Sequence, residues 1–316
     1  MTYPKLQWLD IDIDSSMEMD LIHSSSLFVI PIAMPSLQKV CFSGIFKSTD
    51  PELCSDDDSD SEDSCACSQI SPYTLKDFCT AFKTPLNSLS LNGPDWMTDD
   101  HVEEIMPIIG KNLTCLEFIR CRKYEYSEVE QYIFQRLRTN LSDSSLFSIA
   151  RHCNNLESLS IVESDITSVG LEKVLSANPK ITTLNLADNY QLDAETINVI
   201  SRCVPKLKIL RNGGDGYDTW LTDTTLKALV DAQLKASGDS CISLERIGVY
   251  SKRAFARRRL TIGGIKYAIS KGLKEIEMVE NSFSRSILAS KLNVKLIKVN
   301  SGHCIAGSMS EYTLLE

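Results

Sequence analysis

No uninterrupted apolar run in the 316 residues approaches the roughly 20 needed to span a bilayer. The opening Met1-Thr2-Tyr3-Pro4-Lys5-Leu6 lacks the basic-then-apolar order of a secretory signal, which makes a cytoplasmic or nuclear location the expectation. Bases are not in excess: 33 Lys and Arg stand against 42 Asp and Glu, a net charge of -9. Wholesale coating of nucleic acid or of an anionic membrane is therefore not expected, whereas a local basic patch stays open to either. Histidine is scarce, and His23, His101, His152 and His303 share no metal-ligand spacing. The glycine-rich stretch Asn212-Gly213-Gly214-Asp215-Gly216 has no following Lys-Ser/Thr, so it forms no phosphate loop and is expected to bulge from its repeat. No local signature sets Ser, His and Asp in a nucleophile–base order. These absences predict a chain without catalytic residues, cofactor or metal.

What the chain does have is 43% hydrophobic residues, enough for a large core, and 24% charged ones. At roughly 150 residues per domain its length suggests about two domains, an inference that a repeat array would void. Eleven cysteines without a secretory signal read as reduced thiols, not as a disulfide framework.

A short phrase recurs along the whole chain: an apolar residue, two free positions, an apolar residue, one free position, an apolar residue. Its copies are anchored at Leu6/Leu9/Ile11, Leu37/Val40/Phe42, Leu86/Leu89/Leu91, Leu113/Leu116/Phe118, Leu156/Leu159/Ile161 and Ile181/Leu184/Leu186. They continue through Leu207/Leu210, where Asn212 takes the third place, to Leu244/Ile247/Val249, Leu273/Ile276/Met278 and Val294/Ile297/Val299. One such triplet means little, but about ten in order mark a repeat architecture. Between phrases lie helix patterns. Leu221-Thr222-Asp223 opens one whose Leu226, Leu229 and Val230 fall at i, i+3 and i+4, and Leu141-Ser142-Asp143, Ile166-Thr167-Ser168 and Leu192-Asp193 open others. The Thr, Ser or Asp after the first apolar residue can cap the helix by accepting from an unpaired backbone N–H. Each unit is therefore strand, turn, helix.

The phrases at Leu156, Ile181 and Leu207 begin 25 and 26 residues apart, within the roughly 20–29 of leucine-rich repeats. Longer intervals must be looped out. Residues 47–71 are predicted to be an acidic disordered insertion, and residues 122–140, with Val129, Tyr132, Ile133 and Leu137 at helical spacing, a helical one.

The motifs Leu221-Thr222-Asp223, Arg202-Cys203-Val204-Pro205-Lys206-Leu207 and Arg151-His152-Cys153-Asn154-Asn155-Leu156 resemble the cysteine-containing leucine-rich repeats of F-box proteins, within the ribonuclease-inhibitor-like superfamily. Cys121 matches the cysteine that often ends the family's strand phrase, and Asn189 stands at the equivalent place. The resemblance covers nearly the whole chain but includes no visible F-box. It implies one right-handed α/β horseshoe of about ten repeats over residues 1–316, with parallel strands on the concave side and helices on the convex side. It further implies a non-catalytic protein-recognition module, with substrate recognition for a ubiquitin ligase through a Skp1-like adaptor and cullin held by a separate segment. The competing reading is a repeat subunit of a nuclear DNA-repair or chromatin complex, and a third is a free-standing scaffold.

In such a solenoid the free positions of each phrase face the hollow. The candidates are Trp8, Asp10, Lys39, Asn92, Glu117, Arg120, Ser160, Asn185, Lys208, Arg211, Tyr250, Glu277 and Lys298. Acids dominate the first phrase through Asp10, Asp12 and Asp14, and Lys208, Arg211, Arg246 and Lys298 lie toward the other end, so a partner of opposite charge gradient is expected. Cys121, Cys153 and Cys203 are expected to be small buried packing residues. Cys54, Cys65, Cys67 and Cys79 are spaced poorly for zinc. The acidic tract Asp50–Ser64 sets serines among acids, a pattern acidophilic kinases favour. A basic rim of Lys252, Arg253, Arg257, Arg258 and Arg259 could grip phosphates, carry an import signal or dock the acidic tract. Because the first phrase starts almost at residue one, its open strand edge is expected to be covered by a partner or by more polypeptide.

Overall fold

The computed structural model describes residues 3, 5–12, 30–46, 72–94, 97–121, 140–212, 220–238, 240–249, 260–279 and 295–299. Ten strands form one sheet in sequence order: β1 Trp8–Asp12, β2 Lys39–Phe46, β3 Ser88–Pro94, β4 Cys115–Ile119, β5 Ser158–Val162, β6 Thr183–Asn185, β7 Ile209–Asn212, β8 Arg246–Val249, β9 Glu275–Val279 and β10 Lys295–Val299. Every neighbouring pair is parallel. Among the described residues, helical residues 30–33 precede β2, and further helices return the chain between strands: α1 Pro72–Ala81, α2 Asp99–Ile109, α3 Asp143–His152, α4 Ser168–Ala177, α5 Glu195–Cys203, α6 Asp223–Ser237 and α7 Ile262–Ser270. The fold is an α/β leucine-rich repeat solenoid. Parallel strands stack about 4.8 Å apart, whereas packed helices need about 8–10 Å, so a stack of strand–helix units bends with its strands inside.

The anchors of the repeated phrase build the core. Leu156, Leu159, Ile161, Ile181, Leu184, Leu186, Leu207 and Leu210 are buried together with the inner faces of the helices, such as Leu171, Val174, Ile197 and Leu226. Consecutive anchors sit side by side in the ladder, with Leu116, Leu159, Leu184, Leu210, Ile247 and Ile276 forming one row. Removing one such side chain costs about 2–5 kcal/mol, because the layer cannot collapse around the void.

Three of the four capped starts read from the sequence, at Ser142, Thr167 and Thr222, are N-caps, and Thr261 is a further one. Their hydroxyls accept from backbone N–H groups of the first turn. At the fourth start read from the sequence, Asp193 accepts from the Glu195 N–H, but the N-cap position is Ala194. A second device was not legible as spacing. An aspartate at the first helical position of one repeat accepts from the N-cap of the next. Asp99 accepts from the backbone N–H (2.9 Å) and hydroxyl (2.6 Å) of Ser142. Asp143 does the same for Thr167 (2.7 and 2.6 Å), and Asp223 for Thr261 (2.8 and 2.6 Å). The carboxylate needs space, and Gly170 and Gly264 supply it: a Cβ at either would overlap Asp143 or Asp223.

Three expectations are corrected. Asn212 does not bulge; it stays in the ladder opposite Val249 and is buried, so a polar side chain fills the third anchor of β7. Cys203 is half-buried, unlike buried Cys121 and Cys153. The buried slot lies three residues before the first anchor, where Cys153 precedes Leu156 and Val204 precedes Leu207; Cys203 is one residue too early. In β10 the register pairs Leu296 with Ile276 and Lys298 with Met278, which puts Lys298 in the anchor row. Lys295-Leu296-Ile297-Lys298-Val299 carries apolar residues in both alternating frames, so the pattern does not fix its register, and a one-residue slip exchanges the two faces. The acidic insertion 47–71 and residues 122–139 of the helical one lie outside the described residues.

Candidate interaction surface in the hollow

The ladder register aligns the free positions into two rows across the sheet. One runs Trp8, Lys39, Ser88, Cys115, Ser158, Thr183, Ile209, Arg246, Glu275, Lys295. The other runs Asp10, Cys41, Ser90, Glu117, Ser160, Asn185, Arg211, Gly248, Glu277. Side chains within a row are neighbours across about 4.5–5.5 Å and can pair.

They pair differently along the sheet. Toward the last strands, Glu277 is fully buried and Arg211 grips it with two bonds, from Nε (2.8 Å) and Nη2 (3.1 Å). Arg211 lies on β7 and Glu277 on β9, and the residue between them in the row is Gly248, whose missing side chain leaves the path clear. Arg246 donates from Nη1 to Glu277 (3.1 Å) and from Nε to Glu275 (2.6 Å), and Lys295 donates to Glu275 (2.8 Å). Burial would raise the Glu275 carboxyl, but the bonds from Lys295 and Arg246 prevail and hold it below the usual carboxylate range. Three bases thus face two carboxylates in one network, and the expected excess of positive charge at this end is largely spent within the sheet.

In the middle of the sheet the bonds are weaker. Asn185 donates to the Ser160 hydroxyl (3.0 Å), and Ser90 donates to Oε2 of Glu117 (2.8 Å). Glu117 is 8% exposed and burial pushes its carboxyl up, opposed by the Ser90 bond and the distant Arg211 charge. The thiols beside it are poor nucleophiles: burial raises both Cys41 and Cys115 to about 11, so they stay protonated at neutral pH. Among the described residues no group of three His, Cys, Asp or Glu comes together, and no helix is long and apolar enough to cross a membrane.

The exits from β3 to β6 form a further series. Gly93 (φ 89°), Arg120 (φ 54°), Glu163 (φ 58°) and Asp188 (φ 58°) all adopt the left-handed region, each two residues past its third anchor. Arg120 and Glu163 lie 3.7 Å apart as an ion pair. Asn189 then closes the turn, accepting from the Ser164 N–H (2.8 Å) and donating to the Ile161 carbonyl (2.7 Å).

No protein-family model matches the chain, and no curated protein matches it. Solved structures similar to it are of low identity. A leucine-rich repeat-containing protein, LegL7 of Legionella pneumophila, is 16% identical over 92% of this chain and 79% of its own, with a TM-score of 0.47. The Rad7–Elc1 complex of yeast matches at 14% identity over 87% of this chain and 77% of that one, TM-score 0.38. The tropomodulin C-terminal domain of Caenorhabditis elegans matches at 10% over 53% of this chain and 95% of its own, TM-score 0.35.

Of the residues singled out from sequence, Asp10, Glu117, Ser160, Asn185, Arg211 and Glu277 share one row, and Trp8 and Lys39 begin the other. Trp8 is 57% exposed. Asn92 lies half-buried opposite Ile119, Arg120 at the exit of β4, and Lys208 exposed one residue before β7, so none of these three belongs to either row. Tyr250 and the basic rim of Lys252, Arg253, Arg257, Arg258 and Arg259 lie outside the described residues. The rows also hold Glu275 and Lys295, which the sequence reading does not single out, and Arg246, which it gives only as a charge. Arg246 and Glu275 stand two residues after their first anchors, the free position that marks Ser158 and Thr183 as well.

Proposed function

We propose that the chain is a non-catalytic protein-recognition module that binds a protein partner along the hollow face of its sheet. The observation that carries this reading is the pair of rows of mostly polar and charged side chains, broken at Ile209 and Gly248 and held in register by parallel strands. Such a surface offers many weak contacts with fixed spacing. Within this reading the partner is a substrate delivered to a ubiquitin ligase whose Skp1-like adaptor and cullin bind another segment. The alternative, membership of a nuclear DNA-repair or chromatin complex, is favoured by the run of bases at Lys252–Arg259.

Affinity purification of the full chain from its own cells, read by mass spectrometry, separates the two. Recovery of adaptor and cullin that resists salt supports the ligase reading. Recovery of repair or chromatin proteins, lost on replacing Arg257–Arg259 with Ala, supports the alternative. Substitutions in the hollow at exposed Trp8 and Lys39 are expected to release the bound partner in either case, and a partner unaffected by both would count against the hollow as its surface.

A further inference from the structure

The row that contains Glu117 holds a second buried carboxylate, Glu277, and the contrast between them is informative. Glu277 lost its water and received two guanidinium groups in exchange, from Arg211 and Arg246. Glu117 lost nearly as much water and received one serine hydroxyl. Among the described residues no base lies within ion-pair distance of it. The next cation in its row, Arg211, starts from a backbone three strands away, about 14 Å at 4.8 Å per strand; its charge favours the Glu117 anion, but its bonds go to Glu277. An ionised carboxylate so placed is under-compensated, and a cation brought to it recovers electrostatic energy in a site already short of water.

We propose that the hollow binds a protein segment that delivers a lysine or arginine side chain to Glu117. This rests on the reading of the hollow as the recognition surface. The flanking side chains fit an inserted stem, since Ser90, Ser160, Cys115 and Ser158 are all short. A divalent metal is a poorer match, because Glu117 is not joined by other anionic ligands among the described residues and hard cations require several oxygens. A cationic side chain needs only one carboxylate and brings its own hydrocarbon stem to cover the floor. Trp8, exposed at the first strand, offers such a segment an apolar anchor of the kind that dominates interface energies.

The test uses the full chain and a display library of random linear peptides as probe, with binding of the selected peptides measured in solution. The expected peptides carry a Lys or Arg whose replacement by Gln weakens binding about tenfold or more. Glu117→Gln, which preserves shape, is expected to weaken the parent peptide by the same factor, and the two changes together to cost little more than either alone. Thermal melting confirms that this variant is folded, and Trp8→Ala, at an exposed site, reports separately on the hollow. Peptides weakened by Trp8→Ala but indifferent to Glu117 and to their own bases would overturn this proposal and leave the hollow reading standing. Peptides indifferent to both variants, or no saturable binder at all, would overturn both. A carbodiimide cross-link from Glu117 to Lys252 in the free chain would also overturn it, by showing that the chain's own basic run fills the position.

Discussion

A carboxylate removed from water is stable as an anion only where donors replace its hydration. Glu117 has one donor, and burial pushes its carboxyl above the usual range, so the folded state holds the Glu117 proton more tightly than the unfolded chain does. Its contribution is therefore most favourable in acid and declines as pH rises from about 4.3, the unfolded value, through the raised folded value. Glu117→Gln is expected to melt above the native chain at pH 7, with the difference closing below about pH 4; a lower melting temperature at pH 7 would refute the assignment. The same substitution is expected to weaken partner binding, the usual trade of stability against function at a recognition residue. At this scale the sequence was partly legible. Position four after the first anchor picks out Glu117, Arg211 and Glu277, which the ladder aligns in one row, because strand alternation is geometric. It did not reveal that Arg211 pairs with Glu277, since that contact skips a strand and depends on Gly248 having no side chain.

At the scale of the element, helix N-termini are joined by first-turn aspartates that accept from the N-cap of the next helix. Asp143 accepts from Thr167, and the following turn passes close enough that Gly170 is required. Helix propensity alone would make Gly170→Ala stabilising by about 1 kcal/mol. Overlap with the Asp143 carboxylate reverses that sign, and the expected cost is about 1–3 kcal/mol in denaturant unfolding. In the Asp143→Ala background the same change is expected to become neutral or favourable, and additivity of the two would show that the overlap is not the cause. The caps themselves were readable from Ser142, Thr167 and Thr222, because a hydroxyl before an apolar period has a local meaning. The link between repeats was not, because it joins residues 24 positions apart in the case of Asp143 and Thr167. Cys203 marks a related limit: a motif letter attracts attention, but the buried slot is counted back from the anchor and belongs to Val204.

At the scale of the whole molecule, a solenoid's repeats contact only their neighbours, so stability is a chain of local couplings and not one cooperative core. Among the described residues, a polar network on the strand face joins β7, β8 and β9 through Arg211, Arg246, Glu275 and Glu277, with Lys295 of β10 attached. Glu277→Ala leaves two partly buried guanidinium groups facing the gap, and breaking a buried pair in this way costs about 3–5 kcal/mol. Because the coupling is local, that cost is expected to appear as opening of the last repeats before global unfolding. Hydrogen exchange should accelerate in β8, β9 and β10 while β4 and β5, several repeats away, keep their native protection. Uniform acceleration along the sheet would mean that the repeats unfold as one unit, and the one-dimensional picture would then fail. If it holds, the two ends of the hollow are energetically separate. The end with Arg211 and Glu277 would keep the array intact, and the strands around Glu117, free of that duty, would be available to a partner.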